Sequence, residues 1–186
     1  KGFFIAETGR PGPVLIDVPK DVQQNESEMI FPDEFKIQGY HPWADPDIVN
    51  VEKAIDMLLH SEKPIILAGG GTIISSAFAE LQAIAETLML PVVTTFKGKG
   101  AFPETHPLSL GPIGMHGHAE ANKMMAEADC VLAIGTRFSD RSVGTFEAFE
   151  KRLKIIHMDV DPAEIGKNQT AQIAVVGDVR ASLRIM

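Results

Sequence analysis

The 186-residue chain has one cysteine, Cys130, at the head of an apolar run. That excludes a disulfide framework and makes a reducing, cytoplasmic setting the expectation. Basic residues are the minority, 17 Lys and Arg against 25 Asp and Glu, for a net charge of −8. Phosphate-backbone binding needs clustered cations, so nucleic acid is not an expected partner. No apolar run approaches the roughly 20 residues of a membrane span. The opening KGFFIAETGRPG lacks the basic-then-apolar layout of a secretion signal, so no membrane partner is expected either. The chain lacks internal repeats, low-complexity tracts and any Ser/His/Asp or Cys/His nucleophile arrangement. The dinucleotide fingerprint G-x-G-x-x-G is absent at Gly69–Gly71 and in GPIGMHG alike. Both ends read as cut: the chain opens at Lys1 in structured-looking sequence and stops at Met186 inside a beginning helix.

What is present is an ordinary globular composition, 45% hydrophobic and 23% charged, with enough length for one core and an attached piece. Four short apolar runs end in glycine or acid: PIILAGGG (64–71), VLAIG (131–135), KIIHMDVD (154–161) and QIAVVGD (172–178). Short runs that are apolar on both faces and separated by helical segments are what a covered parallel sheet requires. A further strand is expected at Pro91–Thr95, and another at Val14–Val18, framed by Pro11, Pro13 and Pro19. Residues 23–47 read as a linker. A helix is expected from Asp45-Pro46, with Ile48, Val51, Ile55, Leu58 and Leu59 on one stripe. A second helix carries Ile74, Ala77, Phe78, Leu81, Ile84, Ala85 and Leu88. A third covers 118–128, a short one lies near Thr145–Glu150, a helical turn spans Pro162–Gly166, and a last helix begins at Val179. The expected fold is α/β and Rossmann-like: a doubly wound, six-stranded, mainly parallel sheet with helices on both faces, over about Val49–Arg184. Residues 1–22 are expected to form an incompletely packed appendage.

Ligands of such sheets gather at the carboxyl ends of the strands. Gly69–Gly71 there either lets backbone amides approach a phosphate or simply makes a tight turn. Arg137 and Arg141 suit a phosphate or carboxylate, or pair with Asp140 or a nearby Glu on the surface. Asp159, Asp161 and Asp178 can accept from ribose hydroxyls or cap the turns that follow them. His116 and His118 lack further metal ligands in register, and Met124 and Met125 suit helix packing better than a cofactor box.

In combination these segments resemble a known family. TGRPGPVLIDVPKDVQ, ILAGGG, TTFKGKGAFPETHP, GMHG, GTRFSDR, IIHMDVDPAEIGKN and VVGDV occur in this order and resemble the large catalytic subunit of acetolactate synthase. The similarity covers the end of that subunit's first domain (residues 1–22), a linker (23–47) and its central domain (48–186). It implies a central domain that binds FAD without net redox chemistry. The parent enzyme would depend on thiamine diphosphate and Mg2+, joining two 2-ketoacids (pyruvate with pyruvate or 2-ketobutyrate) with loss of CO2 in branched-chain amino acid synthesis. It also implies a homodimer or homotetramer with a regulatory small subunit. By motif match Arg10, Gly70, Thr95, Phe96, Met115, His116, Gly135, Thr136, Arg137, Asp159, Val160, Ile165, Asp178 and Val179 would line the flavin site. Lys20, Asp140 and Arg141 would lie beside the substrate channel. Lys97 departs from the pattern, standing where better-known members carry an apolar residue. The family's catalytic glutamate and its GDG…NN metal-anchoring motif match nothing here, so the chain alone is expected to be inactive. Another thiamine enzyme, such as glyoxylate carboligase or pyruvate oxidase, and a stand-alone NAD or ADP-ribose module are the alternative readings.

Overall fold

The computed structural model describes residues 1–32, 34, 36–42, 45–139 and 153–186. The chain divides into two compact units, residues 1–43 and 44–186.

The N-terminal unit carries helices α1 (Gly2–Glu7) and α2 (Lys20–Gln24), neither with a buried residue. Its ties converge on Tyr40, which donates to the Thr8 carbonyl at 3.0 Å, meets the Thr8 hydroxyl at 2.8 Å and takes the Phe4 ring edge-on. The strand expected at Val14–Val18 does not form: no ladder pairs it among the described residues, and Leu15 and Ile16 are 93% and 67% exposed. Alternating apolar residues make a strand only when a neighbour supplies the other half of each hydrogen bond. The flanking prolines remove donors as well.

The second unit is built on six parallel strands: β1 (Pro64–Ala68), β2 (Val92–Thr94), β3 (Ser109–Pro112), β4 (Cys130–Ile134), β5 (Lys154–Asp159) and β6 (Ile173–Val176). Their order is β3-β2-β1-β4-β5-β6. β3 occupies an edge, and its register against β2 shifts between Val92 and Val93.

Successive side chains of a strand point to opposite faces, and the core divides accordingly. Ile66, Leu132 and Ile156 face one side with Val51 and Leu58 of α3 (Ile48–Leu59), Leu81 of α5 (Phe78–Thr87) and Leu183 of α7 (Val179–Ile185). Ile65, Val131 and Ile155 face the other with Ala121 and Met125 of α6 (Ala119–Glu127). Each large apolar side chain withdrawn from water in this way contributes roughly 1.5–3 kcal/mol.

Two helix boundaries differ from expectation. The N-cap of α3 is Asp47, whose side chain accepts from the amides of Val49 and Asn50, and Ile48 and Leu59 stay exposed. The helix expected after the triple glycine is two, α4 (Gly70–Ile74) and α5, because Ser76 turns into the left-handed region with φ 53°. The helix expected near Thr145–Glu150 lies outside the described residues.

Candidate functional site

The strand order reverses direction between β1 and β4, so the connections leaving these neighbours diverge and open a crevice at their carboxyl ends. Glycines close the floor of that crevice. A Cβ on Gly71 would lie 2.6 Å from the Gly135 Cα, one on Gly69 would run into the Gly135 carbonyl, and one on Gly98 into the Ala68 carbonyl. The amides of Gly69 and Gly71 are spent on the carbonyls of Ile134 and Gly135, at 2.8 and 3.0 Å. Close backbone packing therefore accounts for Gly69 and Gly71. A Cβ on Gly70, the first residue of α4, would instead lie 3.2 Å from the Lys97 Cβ.

Beyond β4 the chain makes a sharp turn over Gly135-Thr136-Arg137-Phe138. Gly135 and Phe138 both have positive φ, 55° and 48°. For Phe138 that is an uncommon conformation, of the kind that surrounding structure must hold in place. Three consecutive carbonyls of the turn are engaged by groups from other parts of the sequence. The Gly135 carbonyl accepts from the Gly71 amide, that of Thr136 from His157 Nε2 at 2.8 Å, and that of Arg137 from Asn168 Nδ2 at 2.7 Å. The Gly135 amide donates to the Met158 carbonyl at 2.8 Å, extending the ladder between β4 and β5. Thr136 and Phe138 are buried, while the Arg137 side chain alone is exposed and makes no ion pair among the described residues.

His157 sits on β5 with 1% exposure, its ring meeting Phe138 edge to face at 5.2 Å between centroids. Burial lowers its pKa below the ordinary 6.5, against smaller raising effects from the Thr136 carbonyl, Asp159 and Glu164. The ring is therefore neutral, with its proton on Nε2 toward the carbonyl, and Nδ1 is buried without a hydrogen-bond partner among the described residues.

The carboxylates at the neighbouring strand ends are already engaged. Asp159 Oδ1 accepts from the Asp161 amide, Asp161 Oδ1 from the Ala163 amide, and Asp178 Oδ1 from the Ala181 amide at the start of α7. Each is the turn-capping arrangement. Thr95 is buried and caps the following turn, where its hydroxyl accepts from the Gly98 amide. Phe96 and Met115 are 83% and 82% exposed, His116 is exposed as well, and Val160 and Ile165 are half-buried. Val179 is packed into the core beside Leu183. Arg10 and Lys20 belong to the N-terminal unit and are exposed there; Asp140 and Arg141 lie outside the described residues.

The arrangement can offer an anion an exposed guanidinium, without an ion pair among the described residues, on a fixed backbone. A guanidinium so placed would suit the phosphates of a dinucleotide such as FAD. No group of three or more potential metal ligands occurs among the described residues, and none of their helices is long and apolar enough to cross a membrane.

The clamp through His157 and Asn168 was not anticipated from the sequence. The one available signal was a histidine inside the apolar run KIIHMD, at a position whose neighbours on the same face are core residues.

Comparison with known proteins agrees with this architecture. The family described as the thiamine pyrophosphate enzyme central domain matches residues 51–186. A probable acetolactate synthase large subunit of Methanocaldococcus jannaschii is 51% identical over 185 residues, covering 98% of this chain and 31% of that protein. The acetolactate synthase large subunit of Corynebacterium glutamicum is 44% identical over 183 residues, covering 98% of this chain and 29% of that protein. That of Cyanidium caldarium is 44% identical over 188 residues, covering 99% and 32%. The chain spans about a third of the length of these curated relatives. With a match over 51–186 and the six-stranded parallel sheet in that span, the chain belongs to the thiamine pyrophosphate enzyme central-domain family.

Proposed function

We propose that this chain is the FAD-binding central part of an acetolactate synthase large subunit. Residues 1–22 would belong to the preceding domain, 23–47 would be a linker, and 48–186 the flavin domain. The parent would be a cytoplasmic enzyme that condenses pyruvate with a second 2-ketoacid, in a homo-oligomer with a regulatory small subunit. Thiamine diphosphate, held with Mg2+ elsewhere in the parent, supplies the carbon–carbon chemistry. This chain's residues bind and orient the flavin.

The observation that carries the reading is the turn Gly135–Phe138: its backbone is fixed by remote partners and its one exposed side chain is an arginine without an ion pair among the described residues. It lies at the strand-order reversal, where open α/β sheets bind their ligands. Identity of 44–51% to acetolactate synthase large subunits favours FAD over other dinucleotides as the ligand.

The test is an equilibrium titration of the full-length large subunit with FAD, followed by flavin fluorescence, with NAD+ and ADP-ribose as competitors. Saturable FAD binding that a large excess of NAD+ does not displace is expected. Tight NAD+ or ADP-ribose binding with weak FAD binding would overturn the reading.

A further inference from the structure

We propose that His157 is a positioning residue for Arg137, acting as a neutral hydrogen-bond donor that sets the aim of the guanidinium toward an anionic ligand. The inference rests on the reading of Arg137 as a phosphate-binding residue and deepens it. His157 itself touches no part of the crevice surface; with 1% exposure it acts from beneath the turn.

Three facts carry it. First, His157 pairs in register with Ala133 on β4, yet its Nε2 reaches past the end of that strand to the Thr136 carbonyl at 2.8 Å. The bond therefore fixes the peptide plane that leads directly into Arg137. Second, the ring is the wall against which Phe138 packs, at 5.2 Å and an interplanar angle of 87°. Phe138 holds a positive φ of 48°, and an aromatic residue leaves that region unless packing over-determines it. One side chain thus holds the residues on both sides of Arg137. Third, the peptide after Arg137 is tied separately, by Asn168 Nδ2 on the Arg137 carbonyl. With both flanking peptide planes fixed, Arg137 retains only its side-chain torsions, so less freedom is lost when the guanidinium meets a bidentate anion.

A histidine kept only for packing would be replaceable by any ring or aliphatic side chain of similar volume. Here the donor atom matters, because a buried carbonyl that loses its partner is destabilised and the peptide plane rotates to find another. Geometry separates the amide substitutes. The glutamine side-chain nitrogen reaches about as far as His Nε2, whereas that of asparagine falls short.

The experiment compares four variants of the full-length large subunit, reading FAD affinity by flavin fluorescence and folding by the melting temperature. Arg137→Ala tests the underlying reading, and it is expected to weaken FAD binding at least tenfold. His157→Gln is expected to stay within about twofold of the wild type. His157→Asn, and Asn168→Ala on the other peptide, are each expected to weaken FAD binding roughly three- to tenfold, the span of one hydrogen bond. Glutamine rescue at equal melting temperature is the signature that a purely structural role would not give. If Arg137→Ala weakens binding but His157→Asn and Asn168→Ala do not, the positioning role is wrong and the flavin site stands. If Arg137→Ala changes nothing, the flavin reading of the turn falls. Should His157→Asn fail to fold, His157→Gln decides: FAD binding weakened more than about tenfold at an equal melting temperature would overturn the donor role.

Discussion

Gly71 and Gly135 lie so close across the ends of β1 and β4 that a Cβ on Gly71 would sit 2.6 Å from the Gly135 Cα. Neighbouring turns of a sheet ordinarily keep side chains between them; here two main chains touch. The contact brings the Gly71 amide to the Gly135 carbonyl at 3.0 Å and starts the turn that presents Arg137. Gly71→Ala is expected to cost about 1–3 kcal/mol, the range for forcing extra atoms into a packed interior. Gly12→Ala, where nothing lies within 4 Å, is expected to change stability by less than about 0.5 kcal/mol. Urea unfolding midpoints of the two variants check this. Equal stabilities would show that the crevice floor yields freely.

Glu80 of α5 receives two arginines from α7. Arg180 Nε and Arg184 Nε both donate to Oε1, each at 2.9 Å. The Arg180 hydrogen bond is the main cause that draws the carboxyl pKa from 4.5 to about 2. Because the folded value lies below the unfolded one, the paired carboxylate adds stability above pH 4.5, and that stability is lost as pH falls through the window down to about 2. Glu80→Gln is expected to flatten this part of the pH–stability curve. Urea midpoints between pH 2 and 6 would show it, and an unchanged slope in the variant would assign the acid sensitivity to other carboxylates.

His157 carries the opposite charge type and gives a different window. Burial lowers its pKa below 6.5, so on acidification the unfolded chain takes up this proton before the folded one does. Stability is therefore expected to fall as pH drops below about 6.5, and to be insensitive to this group at higher pH. Nitrogen-15 shifts of the imidazole are expected to show a neutral ring protonated at Nε2 near pH 7. A ring titrating above 6.5 would mean that the pull of Asp159 and Glu164 outweighs burial.

Legibility in the sequence followed the kind of force involved. The runs that became β1, β4, β5 and β6 are apolar on both faces, so their burial could be read without knowing their neighbours. β3 reads SLGP and gives no such signal: it is a partly exposed edge strand containing Gly111 and Pro112, placed by β2 rather than by its own pattern. Val14–Val18 shows the reverse case, a strand-like pattern left unpaired in this chain. In the candidate site, GTRF singles out Arg137 as a candidate from the sequence, because arginine after a strand end has a chemical meaning by itself. His157 and Asn168 lie 21 and 31 residues from the carbonyls they hold, and only the fold brings those groups together.

On the proposal that both face the flavin, Arg137 and Asp159 are expected to respond differently to substitution. Arg137 has an exposed guanidinium without an ion pair among the described residues, so its loss removes charged hydrogen bonds to the ligand and little else. Such bonds contribute about 1.5–3 kcal/mol, or roughly ten- to a hundredfold in FAD affinity. Asp159 is 8% exposed and its Oδ1 already accepts from the Asp161 amide at 2.9 Å, so Asp159→Ala disturbs a turn as well as any ribose contact. Asp159→Asn separates the two roles. It keeps an acceptor for the Asp161 amide but gives up the charge that favours a hydroxyl donor. If Asp159 holds a ribose or ribityl hydroxyl, both of its variants are expected to raise the FAD concentration needed for half-saturation. If it only caps the turn, Asp159→Asn is expected to bind FAD like the wild type. Arg141, outside the described residues, supplies the contrast: Arg141→Ala is expected to raise the pyruvate requirement of the full-length enzyme and leave its FAD requirement unchanged. A pyruvate requirement that rises with Arg137→Ala at unchanged FAD affinity would exchange the roles of the two arginines.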